Sequence, residues 1–234
     1  MREEKLNTDG KDCAEFHRRY FVGDWVLDKN EIRLVLLLES PYLAELAHRH
    51  PLAGGAGRSV ASHFRQWFKG LDCNFRSLNP DDIPFGCQLR SSECKEVGIV
   101  NCWNYPLDMS AYCVDDDCID VEKIRAWDDL RREINRGKKL NYPFQGVAQE
   151  IAADLERRLT PFLAGELQHV SADAIIPCGR FARTMLAACL STPITNLIDV
   201  PHPSMGNWKR KCYRTKVTAL ETIVKEKLVS RHHG

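Results

Sequence analysis

The sequence predicts an α/β fold: a three-layer α/β/α sandwich around a central, mainly parallel sheet of four strands. Two observations carry this. Four short apolar runs, IRLVLLLE (32–39), VGIVNC (97–102), DAIIPC (173–178) and ITNLIDV (194–200), alternate with stretches of helical periodicity. Continuous apolar runs of this length suit strands buried on both faces, and helices between them suit parallel crossovers. The second observation is that an unusual polar sequence follows each run at once: ESPY, NCWNYP, CGR and HPS. In such sheets ligands bind at the carboxyl ends of the strands.

The elements follow in order. Residues 1–30 turn from polar to aromatic (Phe16, Tyr20, Phe21, Trp25) and read as an N-terminal helical extension. Pro41 stops the first strand, and 42–49 reads as a short helix. Residues 50–59, HPLAGGAGRS, read as a Gly-rich loop. A helix over 60–71 has Val60, Phe64, Trp67, Phe68 and Leu71 on one face. Residues 72–96 read as irregular. Six acids and no Lys or Arg between 108 and 122 suggest a solvated loop leading into a helix at 122–135. Further helices are expected at 146–168, 180–190 and 213–229. The whole chain, 1–234, reads as one domain.

Composition narrows the function classes. The net charge of +1 excludes a protein that holds nucleic acid by bulk positive charge, so a nucleic-acid site has to be a local patch. The longest aliphatic run, Leu34 to Leu38, is far short of a membrane span, and the first residues lack a secretory apolar stretch. A cytoplasmic, monomeric protein with no membrane partner is expected. Ten cysteines without any CxxC pair are then mainly core thiols, and no metal ligand set is expected.

The strand ends supply the candidate chemistry. Glu39 closes a buried strand, where a carboxylate is costly unless it is hydrogen-bonded or faces a cleft. It either caps the next helix or pairs with an arginine such as Arg58, or it orients a water. The stretch from Ala53 to Ser59 either forms a plain turn or offers amides to an anion. Asn101 has the donor and acceptor to read a base edge, or ties down its loop. Trp103 and Tyr105 lie close behind it in sequence. His202, at a strand's carboxyl end, either is a structural ring or donates to a charge developing on a leaving group. From His202 onward, eight Lys or Arg face two Glu, and Lys209, Arg210 and Lys211 interleave with Trp208 and Tyr213, a pattern that suits a phosphate backbone. The competing reading is a solvated basic helix.

Taken together, LESPYLAELAHRHPLAGGAGRS, VGIVNCWNYPL, AIIPCGRFARTML and VPHPSMGNW resemble, in order and spacing, the motifs of the uracil-DNA glycosylase superfamily, in particular its thermophilic-type branch. The resemblance covers roughly residues 30–210. It implies an enzyme that flips a nucleotide out of DNA, double- or single-stranded, and hydrolyses its N-glycosidic bond. On that resemblance Glu39 and His202 are catalytic, Glu39 toward water and His202 toward the base carbonyl. Ser40, Tyr42, Leu52 and Asn101 hold the base. Gly57, Arg58, Ser59, Ser204, Met205, Trp208, Lys209, Arg210 and Lys211 meet the DNA, with Met205 filling the gap left by the flipped nucleotide.

Three departures from the family pattern matter. Ser40 stands where many members have Asp, so Glu39 has to serve the water. Leu52 replaces a base-stacking Phe, which opens the pocket to modified pyrimidines such as glucosylated hydroxymethylcytosine, removed by an anti-phage member of the superfamily. Trp103, Tyr105 or Phe64 stacking the base from another side would instead keep it an ordinary uracil enzyme. The branch's iron–sulfur cluster begins with a CxxC, broken here because Cys13 is followed by Phe16; Cys102 and Cys118, with Cys87 or Cys94, are what remains to hold one, and no cofactor is expected. A catalytically inactive DNA-binding module on the same scaffold is the alternative, made plausible by Ser40.

Overall fold

In the computed structural model, residues 13–26, 28, 31–69, 83–92, 95–113, 116–139, 145–163, 175–189, 198 and 200–229 are described. The elements are α1 (13–20), β1 (Leu34–Leu38), α2 (Leu43–His48), α3 (Gly55–Trp67), α4 (Phe85–Ser92), β2 (Val97–Asn101), α5 (Val121–Arg136), α6 (Gly146–Leu163), β3 (Ile175–Pro177), α7 (Arg180–Cys189) and α8 (Arg214–Val229).

β1 is the centre of a parallel sheet ordered β2-β1-β3. Its five residues are all buried, which is why the run carries no polar alternation. Successive side chains point to opposite faces. Val35 and Leu37 pack with Trp127, Ile151, Leu155, Phe181 and Met185 of α5, α6 and α7. Leu34, Leu36 and Leu38 pack with Phe64, Leu89, Leu220 and Val224 of α3, α4 and α8. Helices therefore cover both faces.

The sheet has three strands among the described residues, not four. Most of the expected fourth run, 194–200, lies outside them, and Val200 makes a single parallel bridge with Cys178. Trp25 adds an antiparallel bridge to Ile99 on the other side of β2.

Two local expectations change. Residues 55–59 form the first turn and a half of α3, capped at Gly54, and are not a loop. Glycines tolerate this because the backbone is crowded there: a Cβ on Gly57 would overlap the Leu52 carbonyl. Within the tract expected to be irregular, 85–92 is helical, with Phe85 and Leu89 in the core beside Phe64. No helix among the described residues is long and apolar enough to cross a membrane.

Candidate functional site

A cleft of about 760 Å³ opens at the carboxyl ends of β1 and β3. Glu39, Ser40 and Tyr42 enter it from the turn after β1. Leu52 enters from the loop before α3, and His202, Ser204 and Met205 from the segment after Val200. Six of the residues expected in the site therefore share one cavity with Met205.

Glu39 is held from α5. Asn135 Nδ2 donates to its Oε2 at 2.8 Å, and the Arg131 guanidinium lies 3.7 Å from Oε1. Burial pushes the Glu39 carboxyl above the ordinary glutamate value; the Asn135 hydrogen bond and the Arg131 charge oppose that, and the Asp108 charge adds to it. Arg131 is itself fixed by Asp128 at 2.8 Å and Asp108 at 2.9 Å. Burial also raises the Asp108 carboxyl, but two hydrogen bonds from Ser110 and the Arg131 charge outweigh it, and the net direction is down. Ser110 Oγ bonds the Tyr42 hydroxyl at 3.0 Å, so a polar chain runs from the cleft mouth to Glu39. α5 starts sharply, because the Asp120 side chain accepts from the Lys123 N–H, and this fixes the phase of Asp128, Arg131 and Asn135 on one face.

His202 sits against Gly179, the residue between β3 and α7. Gly179 has φ +101°, and a Cβ there would come within 3.1 Å of the His202 Cβ. The glycine thus permits both the turn and the close approach. His202 Nδ1 accepts from the Ser204 backbone N–H at 3.2 Å and lies 2.8 Å from the Ser204 hydroxyl. This leaves the proton of the neutral ring on Nε2. Burial pulls the ring down to about 4, so it is neutral at physiological pH.

The chain then turns through two left-handed residues, Met205 (φ 54°) and Gly206 (φ 66°). Met205 is 86% exposed on the lip of the cleft. Trp208 is not on the surface. It is buried against His63 and Trp67, with Nε1 donating to the Pro201 carbonyl at 2.7 Å, and so anchors the loop. Lys209, Arg210 and Lys211 are exposed and form no ion pair among the described residues.

Other expected residues sit elsewhere. Asn101 is 1% exposed beside Leu38 and does not line the cleft; its backbone is held by Asp24 and Arg158, and its Nδ2 has no partner among the described residues. Gly57 and Ser59 are buried in the packing of α3, and the cleft is lined instead by Gly54, Gly55 and Ala56. Arg58 is exposed and is not the partner of Glu39. Trp103, Tyr105 and Phe64 pack into the cores and do not line the cleft, where the aromatic side chains are Tyr42 and Tyr213.

Asp108, Arg131 and Asn135 line the cleft without having been expected there, and so do Arg180 and Arg183, which belong to the AIIPCGRFARTML motif but had been given no role. The available signal was the 128, 131, 135 spacing of polar residues on a helix whose buried face is otherwise apolar. Of the cysteines named for a cluster, Cys94 lies outside the described residues, Cys102 is fully buried, and burial pushes the Cys118 thiol up to about 11; among the described residues no group of three His, Cys, Asp or Glu is arranged to hold a metal. No protein-family model matches this chain, and no curated protein or solved structure matches it significantly.

Proposed function

We propose that this chain is a DNA glycosylase that flips out a pyrimidine nucleotide and hydrolyses its N-glycosidic bond, leaving an abasic site. The fold in this reading is the α/β/α sandwich with residues 194–200 as a fourth parallel strand beside β3, in a cytoplasmic protein. The observation that carries the reading is that Glu39 and His202, from opposite ends of the sequence, line one cleft at the strand ends.

The chemistry follows from their states. An ionised Glu39 takes a proton from a water as that water bonds to the sugar C1′. The bond from C1′ to the base nitrogen breaks, and its electron pair leaves with the base. The neutral His202 donates from Nε2 to the base carbonyl oxygen as negative charge builds there. A neutral imidazole serves this role because the charge it stabilises exists only near the transition state. Met205 on its left-handed turn fills the space vacated in the duplex, and Lys209, Arg210 and Lys211 hold the phosphates.

A modified pyrimidine such as glucosylated hydroxymethylcytosine is the favoured substrate. Leu52 lines the cleft where a stacking ring is expected, and Trp103, Tyr105 and Phe64 do not replace it.

The test is incubation with single- and double-stranded oligonucleotides carrying uracil, hydroxymethylcytosine or glucosylated hydroxymethylcytosine, with the released base identified by mass. Faster release of a bulky cytosine derivative supports the full reading. Faster release of uracil, with no shift of the ratio toward uracil in Leu52→Phe, makes the protein an ordinary repair glycosylase. Tight DNA binding without any abasic site leaves an inactive binding module.

A further inference from the structure

The groups that hold Glu39 come from outside every motif that suggested the site, and they act on it with opposite signs. From α5, Asn135 donates to Oε2 and Arg131 faces Oε1. From the loop after β2, Asp108 shares the same guanidinium at 2.9 Å. Behind Arg131, Asp128 accepts from both its Nε and a terminal nitrogen, at 3.1 and 2.8 Å, and its other oxygen pairs with Arg132 at 2.7 Å. Arg180 of α7 ties the Asn135 carbonyl at 2.7 Å. Cys102, at the end of β2, adds only a buried neutral thiol, and His202 faces the same cleft as a neutral ring.

Arg131 is thus a preset cation with three carboxylates around it. Asp128 and Asp108 fix its position at 2.8 and 2.9 Å, and Glu39, which borders the cleft as Asp108 does, is held at 3.7 Å. We infer that Arg131 is a positioning residue that keeps Glu39 ionised and aimed into the cleft, and that Asp108 is its counterweight, weakening the same hold.

The catalytic consequence rests on the glycosylase reading, but the electrostatic claim does not, and the experiment separates them. The Glu39 side-chain carboxyl is labelled with ¹³C and assigned by its loss in Glu39→Gln. Its titration is followed in the free protein and in two variants. Arg131→Gln removes the favourable charge, and the midpoint moves up by about one pH unit or more, as expected for losing an opposite charge within ~4–6 Å. Asp108→Asn removes a repelling charge, and the midpoint moves down. A role confined to packing predicts no such opposition of sign.

Circular dichroism checks that each variant folds; Asp128 keeps Arg132 when Arg131 is replaced. If Arg131→Gln does not fold, Arg131→Lys and Asp108→Asn carry the test. Lysine then holds the midpoint near that of the parent, and Asp108→Asn still lowers it. Midpoints that stay put in every variant, or that move in the same direction in Arg131→Gln and Asp108→Asn, overturn the proposal, as does an Asp108→Asn midpoint that rises. Base release measured on the same proteins reports on the enzyme reading alone: opposed shifts without release at any pH keep the proposal and sink the glycosylase.

Discussion

Two half-buried arginines stand at the ends of neighbouring strands, and they do different things. Arg158 gives one terminal nitrogen to Asp24 at 2.7 Å and Nε to Asp154 at 2.8 Å. Its other terminal nitrogen reaches the carbonyls of Asn101 and Cys102, each at 2.8 Å. Asp24 closes the circuit by accepting the Asn101 N–H. Arg131 has a comparable set of carboxylates, but one of them, Glu39, is only loosely engaged and borders the cleft. Burial raises the carboxyls of both Asp24 and Glu39, so the titration of these acids does not separate the two clusters. What separates them is closure. Where every group is spent inside, a charged cluster is a clamp; where one carboxylate of the cluster borders a cavity, it is a tool.

The sharpest way to break this contrast is to remove each arginine. Arg158→Ala leaves Asp24 buried without its cation and uncaps two carbonyls, a loss of about 3–5 kcal/mol in denaturant unfolding. Arg131→Gln costs less, since Asp108 keeps Ser110 and Asp128 keeps Arg132. Equal losses from both would erase the distinction.

The next effect is on rate. Glu39→Gln and His202→Ala are each expected to cut base release by ~10²–10³ with an unchanged fold. Turnover close to the parent's in both would remove the cleft's claim to be the active site.

A smaller effect concerns stability and pH. In the unfolded chain a histidine binds its proton near 6.5, whereas His202 in the fold binds only near 4. Between these values the unfolded chain takes up the proton that the native one refuses, so acidification through this window removes up to about 3 kcal/mol. Glu39 works in the opposite direction, because its raised value makes the fold the better proton binder as pH falls. Thermal melts of His202→Asn between pH 7 and 4 are expected to fall less steeply than the parent's; identical slopes would mean that the ring is not shielded as described.

The smallest effect tests the exposed basic strip. Replacing Lys209, Arg210 and Lys211 with alanine lowers the slope of log affinity against log salt by about one unit for each phosphate no longer neutralised. An unchanged slope puts the DNA elsewhere.

The strands were legible because full burial leaves a strong mark: Leu34 to Leu38 is apolar without a break, and so is most of Val97 to Cys102. The turn residues Glu39 and His202 stood out for the converse reason, as polar groups directly after such runs. The partners of Glu39 did not stand out. Asp108 belongs to an acid-rich tract that reads as solvated, yet it pairs with Arg131, while Asp116 of the same tract pairs with Arg19. Which acid meets which base depends on how α5 and α1 lie across the sheet, and no local pattern encodes that. Trp208 misled in the other direction, since an indole among basic residues looks like a DNA-facing group but here fills a gap between α3 and the loop after His202. The early start of α3 was hidden because its first turn is rich in glycine, a poor helix former whose use there is dictated by the neighbouring Leu52 backbone.

The bridge between Trp25 and Ile99 reaches beyond the site. Trp25 gives its N–H to the Ile99 carbonyl and receives the Ile99 N–H, both at 2.8 Å, along the outer side of β2. An open strand edge is a template on which another chain can add. The segment before β1 therefore covers part of that edge at Ile99. Replacing Trp25 with proline would remove the N–H given to Ile99 and bare part of the flank of a strand whose five residues are wholly buried.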